Sequence, residues 1–566
     1  MYAELKSTWD ELTAEGQIFE IETIEVRGSP MRMYKHAPGS LRDIWLGSAG
    51  FADNEYLIFQ DERLTYGQAH AQVAGLANWL QQQGVKPGDR VAIAMRNYPE
   101  YMLSYWAIVS IGAVVVGMNA WWVPSELEYA LQDSAPSVMI CDQERLARFE
   151  EVRGGFQDLR LVGVRVEACD VANMTSWADA VSTGGALPEV AIDPDDDACV
   201  FYTSGTTGRP KGAQLTHRGC VANLMNVGFA RLLQATALGK AGLAGKDAME
   251  ADAVNVALVA TPLFHVTGNN CVAQAITATG GKLIHMYKWD AGEALRIIER
   301  ERVTAFSAVP MMSREIMLHP DFDKHDTSSL KSMGGGGAAV QPDLTKKLDE
   351  TMENAAPNAG YGMTETCGII SALGGRYLVD RPASVGPAMP TFEAKCVDAG
   401  GNTVPTGEPG ELWVRGAPVI KGYLNREDAT AETITDGWLH TGDIAYMDDD
   451  GFIYLVDRAK EMVLRGGENV YCAEVEGALF EHEPVAECVV FGVEDERLGE
   501  EVAAAIYCKD GHTSSGDAVR AELKEKLAPY KIPRYIWFVD QPLPRNANGK
   551  FVKREVRDGL DLADAQ

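Results

Sequence analysis

The sequence has 566 residues, of which 46% are hydrophobic. A chain of this length is too long for one hydrophobic core, so two or more domains are expected. Its formal net charge of −30 argues against nucleic acid or an anionic membrane surface as the main partner. The ten cysteines are scattered without metal-ligand spacing, which is typical of reduced thiols and predicts a cytoplasmic protein.

The first part of the chain alternates predicted helices and strands. Helical spacing covers Tyr66–Gln83 and Asn97–Ile111, and strands are predicted at Arg90–Met95 and Ala113–Gly117. The uncharged stretch Met102–Val123 is long enough for a membrane helix, but polar residues and glycines interrupt it, so a buried helix and strand are predicted instead. Further elements are predicted at Ser137–Cys141, Gln143–Val152, Leu159–Val164, Ala198–Tyr202, Val254–Thr261, Gly280–His285, Ala291–Glu301 and Ala305–Val309. This alternation predicts α/β layers on largely parallel sheets.

The composition and the predicted elements change twice in the remaining chain. Ala235–Ala253, rich in Ala, Gly and charge, is predicted to be a surface insertion or loop, and short strands between glycine turns predict a β-rich subdomain from Gly401 onward. Beyond Asp457 the tail resembles a compact α+β unit. Its predicted elements are Ala473–Glu481, Val485–Val493, Glu501–Lys509 and Ser515–Leu527. A boundary at Arg458–Lys460 gives expected domains of residues 1–458 and 459–566.

The densest group of hydrogen-bond donors lies in Tyr202–Gly212, directly after a predicted strand. It combines Ser and Thr hydroxyls, glycines, Arg209 and Lys211. Glycines let backbone N–H groups approach an anion, so this composition suits the phosphates of a nucleotide. It is not a Walker A loop, because Pro210 and Gly212 stand where that motif needs Gly and Ser or Thr. A simple polar turn is the structural alternative.

Tyr202–Gly212, followed by Leu215-Thr216-His217, resembles the phosphate loop of the adenylate-forming (AMP-binding) enzymes. These include acyl-CoA synthetases, luciferases and peptide-synthetase adenylation domains. The resemblance extends over roughly Leu41–Arg557. It implies a large N-terminal domain of two stacked α/β sheets plus a β subdomain, and a small mobile α+β C-terminal domain.

The resemblance also implies an ATP site. The implied ATP-binding residues are Thr203, Ser204, Gly205, Thr206, Thr207, Gly208, Lys211, Gly336, Gly337, Ala338, Tyr361, Gly362, Thr364, Asp443 and Arg458. Within this set Tyr361 flanks the adenine and Thr364 contacts the α-phosphate. Glu365 is implied as the Mg²⁺ ligand, since this hard cation prefers carboxylate and phosphate oxygens. Asp443 is the candidate for the ribose hydroxyls, with Arg458 as a second ribose contact.

Two segments border the implied acyl pocket. The four glycines of Met333–Ala339 weaken regular structure, which predicts either close backbone approach to a ligand or a flexible hinge. The corresponding family segment lies along the adenine and lines the acyl tunnel. His265 follows a predicted strand in a loop that gates the pocket in the family, and we count it among the catalytic candidates. The alternative for His265 is a packed or surface histidine.

The C-terminal unit resembles the part of the family that carries the catalytic lysine. Pro544–Lys550 matches that loop, with Lys550 as the lysine. Lys460 is the implied hinge. The CoA-binding candidates are Gly466, Gly467, Glu468 and Asn469. An ordinary strand turn is the alternative for that last group.

These implications predict an AMP-forming acyl-CoA synthetase. It uses ATP, Mg²⁺ and CoA with a small-molecule carboxylic acid, and has no nucleic-acid partner and no integral membrane segment. No acidic residue stands in His265–Thr267 to hold an ammonium, and the glycine run with Val309–Met312 favours an apolar slot. A fatty or other hydrophobic acid is therefore expected. Loading of a carrier protein and non-catalytic acyl or nucleotide binding remain alternatives, and a homodimer remains open.

Overall fold

The computed structural model describes residues 2–167, 171–203, 209–243, 254–337, 340, 342–458, 461–466, 468–546 and 549–566. The first part of the chain contains, in order, α1 (Tyr2–Leu12), β1 (Ile21–Val26), β2 (Ser29–Tyr34), α2 (Leu41–Gly47), β3 (Glu55–Phe59), β4 (Glu62–Thr65), α3 (Tyr66–Gln82), β5 (Arg90–Ala94), α4 (Pro99–Ser110), β6 (Val114–Gly117), α5 (Pro124–Ser134), β7 (Val138–Asp142), α6 (Gln143–Glu150), β8 (Arg160–Val164), β9 (Met174–Ser176), α7 (Trp177–Val181) and β10 (Asp197–Thr203).

The next part contains β11 (Lys211–Thr216), α8 (His217–Lys240), β12 (Val256–Val259), α9 (Gln274–Ala278), β13 (Lys282–His285), α10 (Ala291–Glu301), β14 (Ala305–Ala308), α11 (Pro310–Leu318), β15 (Ser332–Gly336), α12 (Pro342–Thr351), β16 (Ala356–Met363), β17 (Gly368–Gly374) and α13 (Gly375–Asp380). It is followed by β18 (Ser384–Pro387), β19 (Phe392–Val397), β20 (Gly410–Gly416), α14 (Glu427–Thr433), β21 (Ile434–Thr435), β22 (Trp438–Met447) and β23 (Phe452–Arg458). The tail contains β24 (Val463–Arg465), β25 (Glu468–Val470), α15 (Cys472–Phe480), β26 (Val485–Asp495), β27 (Gly499–Cys508), α16 (Gly516–Leu523), β28 (Tyr535–Val539) and α17 (Lys553–Asp558).

Two α/β sheets form the body of the protein. A seven-stranded sheet has the order β11-β10-β6-β5-β7-β8-β9, and an eight-stranded sheet has the order β17-β16-β15-β14-β12-β13-β3-β4. Neighbouring strands are parallel except at β10–β11, β16–β17 and β3–β4. One apolar core joins both sheets and includes α3 and α4. The predicted α/β class with stacked sheets is therefore confirmed.

The β-rich part and the tail each have a sheet of their own. β18-β23-β22-β20-β19 form a six-stranded sheet together with β21. β25-β24-β27-β26 and β28 form a five-stranded sheet, whose two apolar clusters contain residues of the tail alone. The strand β23 ends at Arg458, and the tail's sheet begins at Val463.

The apolar stretch at Met102–Val123 forms the buried helix α4 and the strand β6, as predicted. Trp106 of α4 donates a hydrogen bond to the Tyr56 hydroxyl, 3.0 Å away, and so ties α4 to the eight-stranded sheet. Within the described residues, the structure has no helix with the length and apolar character that a membrane crossing needs.

Two sequence-based expectations need correction. The predicted surface insertion at Ala235–Ala253 is wrong for its first residues, because α8 continues to Lys240 and buries Ala237 and Leu238. Alanine and leucine favour a helix, and the apolar face of α8 packs against α1. Residues 244–253 lie outside the described residues. The first 50 residues, in which no helix or strand was predicted, form α1, the β1–β2 hairpin and α2.

The glycine run lies inside a strand rather than in a hinge. Gly334 and Gly335 pair in parallel with β14 and β16. A Cβ atom at Gly335 would lie 1.9 Å from the carbonyl oxygen of Ala308, and the φ angle of Gly335 is +141°. The backbone of the neighbouring strands therefore approaches this strand so closely that a side chain has no room.

We predict that Gly335→Ala lowers the thermal unfolding midpoint measured by circular dichroism. The strained backbone alone costs about 1–3 kcal/mol, and the neighbouring strand must move as well. Gly239→Ala is the control, because it lies in α8 with nothing within 4 Å of the added Cβ. That helical substitution stabilises by about 0.5–1 kcal/mol. A Gly335→Ala protein with the wild-type midpoint would refute the packing described here.

Candidate active site

A cavity of about 1070 Å³ lies where α8, the eight-stranded sheet, the β-rich part and the tail meet. Ten sequence-predicted site residues line it. They are Thr203, Lys211, His265, Gly336, Gly337, Gly362, Thr364, Glu365, Arg458 and Lys550. Residues separated by more than 300 positions in the sequence thus face one space.

The phosphate-loop candidates flank one end of this cavity. Thr203 ends β10 and pairs directly with Lys211, the first residue of β11. The Lys211 ammonium lies 5.0 Å from the centroid of the Tyr423 ring. The predicted residues Ser204, Gly205, Thr206, Thr207 and Gly208 lie outside the described residues, as do Ala338, Lys460 and Gly467.

Glu365 is a buried carboxylate at the cavity wall. It belongs to a short helical turn, Thr364–Thr366, between β16 and β17. The Tyr423 hydroxyl donates a hydrogen bond to Oε1 of Glu365 at 2.8 Å. This bond orients the carboxylate at the cavity wall, an arrangement that fits a hard cation held jointly with phosphate oxygens.

Asp443 forms a second buried acidic site. The Tyr361 hydroxyl donates to its Oδ2 at 2.7 Å, and Nε of Arg458 lies 3.2 Å from its Oδ1. Burial raises the pKa of Asp443, while Arg458 and Tyr361 oppose that rise. Tyr361 is itself 9% exposed. Its hydroxyl therefore orients the Asp443 carboxylate, a contact that the sequence-based adenine role did not include.

Lys550 reaches this acidic region from the tail. Its loop is closed by Asn546, which accepts from the Lys550 N–H through Oδ1 at 3.1 Å and donates its own N–H to the Lys550 carbonyl at 2.9 Å. Burial and repulsion from Arg458 lower the pKa of Lys550 to about 8, against attraction from Asp443 and Glu365. Asn546 therefore shapes the turn that presents the lysine.

His265 lines the cavity at the end of the segment that follows β12. Its Nδ1 accepts from the backbone N–H of Thr267 at 3.3 Å, so the neutral ring has its proton on Nε2. Burial, together with repulsion from Lys550, lowers the pKa of His265 to about 3. The ring is therefore neutral at physiological pH. It can donate one hydrogen bond but cannot supply positive charge.

Thr267–Ala273 after this histidine forms a π-helix, an element found frequently at functional sites. Its buried amides bind neighbouring backbone: Asn269 donates to the Leu263 carbonyl at 3.1 Å, and Asn270 donates to the Cys367 carbonyl at 2.9 Å. The loop is thus held rigidly beside the turn that contains Glu365.

The segment predicted to bind CoA does not line this cavity. Gly466 lies at the turn between the short strands β24 and β25, and Glu468 and Asn469 follow it. All three are exposed and lie outside the cavity that contains Lys550. The tail therefore presents its lysine to the cleft and turns this hairpin outward.

The cavity continues from the charged region along the face of the eight-stranded sheet. Its floor is built of small residues of β14–β17, and α8 covers it. The residues of α8 on the cavity are Val227, Ala230, Arg231, Gln234, Ala235 and Leu238. Met311 and Met312, predicted from the sequence to form an apolar slot, do not line it, and Met312 packs into the core beside α10 and α12.

Sequence reasoning missed three residues of this site. Tyr423 had no motif around it, although it holds Glu365. Arg231 and Lys331 line the cavity but belong to segments for which no element was predicted from the sequence. For Arg231 a signal existed, because Val227, Arg231, Gln234 and Leu238 follow helical spacing and so share one face of α8.

Comparison with known proteins identifies the family. The profile of the AMP-binding enzyme family matches residues 47–424, and the profile of the AMP-binding enzyme C-terminal domain matches residues 474–550. The chain belongs to the AMP-binding enzyme family. Within it, the chain's relatives are acid–CoA ligases.

Two curated relatives and one solved structure illustrate this likeness. A feruloyl-CoA synthase of Amycolatopsis sp is 38% identical over 497 residues, covering 87% of this chain and 93% of the relative. A long-chain-fatty-acid–CoA ligase of Bacillus subtilis (strain 168) is 32% identical over 537 residues, covering 90% and 92%. The anthranilate CoA ligase AuaEII in complex with anthranoyl-AMP superposes with a TM-score of 0.81 at 27% identity, covering 93% of this chain and 98% of that one.

We predict that Lys550 titrates at a pKa of about 8 when lysine reactivity is measured by competitive acetylation across pH. Arg458→Gln should raise that pKa, because it removes a repulsive charge. Lys553 is the internal control: burial opposes its charge, but Glu476 and Glu461 outweigh that effect and raise its pKa above the ordinary value. Lys550 that reacts like an exposed lysine, in the wild type and in Arg458→Gln, would contradict this geometry.

Proposed function

We propose that this protein is an ATP-dependent, AMP-forming acid–CoA ligase for a carboxylic acid with a hydrophobic body. The observation that supports this most is the cavity lined by Lys550 of the tail, by Glu365 and by Arg458, which pairs with the buried Asp443. The same cavity continues into a channel that could hold an acyl group. Both substrates of an adenylation reaction thus have a place beside one cation.

In the first half-reaction the acid's carboxylate attacks the α-phosphorus of ATP and pyrophosphate leaves. The difficulty is electrostatic, since an anion must approach a polyanion within a protein of net charge −30. Lys550 addresses it as a mobile point charge between the two reacting groups. A preorganised donor of this kind contributes about 3–4 kcal/mol to transition-state stabilisation. At neutral pH the lysine is largely protonated, and its charge is lost as the pH rises through about 8.

The nucleotide would be positioned by groups whose orientation is already fixed. Asp443, held by Tyr361 and Arg458, would accept from the ribose hydroxyls. Thr203, Lys211 and the hydroxyl-rich loop after β10 would hold the phosphates, and Thr364 would contact the α-phosphate. Gly336, Gly337 and Gly362 leave the cavity wall without side chains where the adenine would lie.

Glu365 fits a magnesium ligand, because its buried carboxylate is oriented by Tyr423 and faces the cavity. Mg²⁺ bound there would neutralise phosphate charge and polarise phosphoryl oxygens. The Lys211 ammonium lies 5.0 Å from the centroid of the Tyr423 ring, whose hydroxyl holds this carboxylate.

The second half-reaction requires attack of the CoA thiol on the acyl-adenylate. Lys550 occupies the cleft while the Gly466–Asn469 hairpin is outside it, so the two groups would have to exchange places. We propose that the residues 459–566 form a mobile domain, which rotates relative to residues 1–458 about Lys460. The rotation would withdraw Lys550 and bring Gly466, Gly467, Glu468 and Asn469 to the pantetheine arm.

The acid's hydrophobic body is supported by the channel beyond His265. Val227, Ala230, Ile369 and Leu373 line it among small residues of the sheet. The neutral His265 at its entrance imposes no charge. The relatives are named for feruloyl, long-chain fatty and anthranilate substrates, each with an apolar chain or ring. A carrier-protein acceptor is the second candidate, and a thiol-acceptor assay with CoA against phosphopantetheinyl carrier separates the two.

We predict that Lys550→Ala reduces pyrophosphate release from ATP and acid by a hundredfold or more, which corresponds to about 3 kcal/mol. Transfer to CoA from supplied acyl-adenylate should persist, since the lysine has left the cleft by then. Gly466→Val should show the converse pattern, because a bulky side chain at the hairpin obstructs the pantetheine path.

The control is Lys346→Ala, an exposed lysine of α12 whose side chain is 76% exposed. It should leave both half-reactions at the wild-type rate. Equal loss of the two half-reactions in Lys550→Ala would contradict the assigned role. Protein that releases no pyrophosphate with any acid would favour a non-catalytic binder instead.

A further inference from the structure

The segment that carries Lys550 is a tight hairpin of the tail. Arg545 and Phe551 face each other as an antiparallel bridge pair, and the Val552 N–H donates to the Pro544 carbonyl at 2.9 Å. Lys550 lies between these two strands of the hairpin and lines the cavity. The position of its ammonium therefore depends on what holds the backbone on either side of Lys550.

One side chain, that of Arg545, contacts both neighbours of Lys550. Its Nη1 donates to the Gly549 carbonyl at 3.3 Å, and its guanidinium carbon lies 4.4 Å from the centroid of the Phe551 ring. A planar guanidinium can make hydrogen bonds with its edge and stack on an aromatic ring with its face. Arg545 thus holds the residue before Lys550 and the residue after it.

The same guanidinium is anchored on the sheet of the tail. Its Nη2 donates to Oε1 of Glu487 in β26 at 2.7 Å, and Oε2 of that carboxylate accepts from the Leu543 N–H at 2.8 Å. The Glu487 side chain is 11% exposed and the Arg545 side chain is 20% exposed. Charge-assisted hydrogen bonds are short and strong, so this pair fixes the hairpin relative to β26.

The tip of the hairpin contacts the segment between β14 and α11. A Cβ atom at Gly549 would lie 3.0 Å from Cγ2 of Val309, and the φ angle of Gly549 is +77°. This position therefore favours glycine because of both its space and its backbone conformation. The backbone beside Lys550 lies against Val309 on the cleft side and is held by Arg545 from within the tail.

The hairpin also has anchors that do not involve Arg545. Phe551 belongs to an apolar cluster of the tail that contains Trp537. Lys553, at the beginning of α17, lies 2.9 Å from Oε1 of Glu476. These contacts remain when the guanidinium is replaced, so the position of Lys550 can be disturbed while the tail stays folded.

We propose that Arg545 is a positioning residue for adenylation, which places the Lys550 ammonium at the reacting groups by fixing its two neighbours relative to β26. This inference rests on the proposed function, in which Lys550 acts in the first half-reaction. Misplacement of a catalytic group by about 1 Å can cost about a hundredfold in rate. Arg545→Lys keeps the positive charge and can still pair with Glu487, but an ammonium lacks the planar fork that binds the neighbouring carbonyl and ring together.

The test measures the two half-reactions of Arg545→Lys separately. Pyrophosphate release from ATP and acid should fall by about tenfold to hundredfold in kcat. The KM values for ATP and the acid should stay unchanged, because Lys550 acts on the transition state rather than on substrate binding. Transfer to CoA from supplied acyl-adenylate should stay at the wild-type rate, which also shows that the tail is folded.

Arg554→Lys is the matched control for this substitution. Arg554 lies in α17, four residues after Lys550, and its side chain is 81% exposed and pairs with Asp558. The same replacement of an arginine by a lysine should there leave both half-reactions at the wild-type rate.

Wild-type pyrophosphate release by Arg545→Lys would overturn the inference, and so would a rise in KM without a fall in kcat. An equal loss of both half-reactions would also overturn it, because it would identify a purely structural role in the tail. Lys550→Ala, assayed alongside, separates these failures from that of the proposed function. If Lys550→Ala releases pyrophosphate at the wild-type rate, the proposed role of Lys550 is wrong, and with it the role of Arg545.

Discussion

The attraction of the buried Lys550 ammonium to two buried carboxylates, Asp443 and Glu365, is the interaction on which the rest of the cleft depends. Desolvation and repulsion from Arg458 lower the pKa of Lys550 to about 8, and attraction from Asp443 and Glu365 limits this decrease. The lysine therefore stays charged at neutral pH yet is poorly solvated, which strengthens its field on a bound anion. Tyr361 and Tyr423 in turn fix the two carboxylates. Charge, burial and orientation are thus supplied by four separate segments of the chain.

The backbone of the eight-stranded sheet makes room for this arrangement. Cβ atoms at Gly334, Gly335 and Gly336 would each lie about 2 Å from a neighbouring carbonyl oxygen, so only glycine fits the paired strands. Gly335 and Gly336 also line the cavity, so its floor has no side chains at these two positions. One constraint, close strand pairing without side chains, therefore serves both the stability of the sheet and the width of the channel.

Local chemistry was predictable from the sequence, whereas contacts between distant segments were not. The chemistry of the motifs around Thr203, Glu365, Asp443 and Lys550 could be inferred from the residues within each motif. That these motifs meet in one site was implied by the family resemblance. Tyr423 and Arg231 belong to the site because of residues that are distant from them in the sequence. No spacing within its own segment identified Tyr423. The glycine run was correctly linked to close approach, since neighbouring strand backbone approaches Gly334, Gly335 and Gly336, and the approach of a ligand to Gly336 and Gly337 stays a prediction. At Ala235–Lys240 composition suggested a loop, and packing of α8 against α1 overrode it.

A crystal structure with a non-hydrolysable acyl-adenylate analogue tests the central claim most directly. Our account predicts the ribose at Asp443, the acyl-phosphate linkage within hydrogen-bonding distance of the Lys550 ammonium, and the acyl group extending under α8 toward Arg231. An analogue bound outside this cavity, or bound within it while Lys550 stays beyond reach of the linkage and no second domain arrangement is seen, would contradict the account.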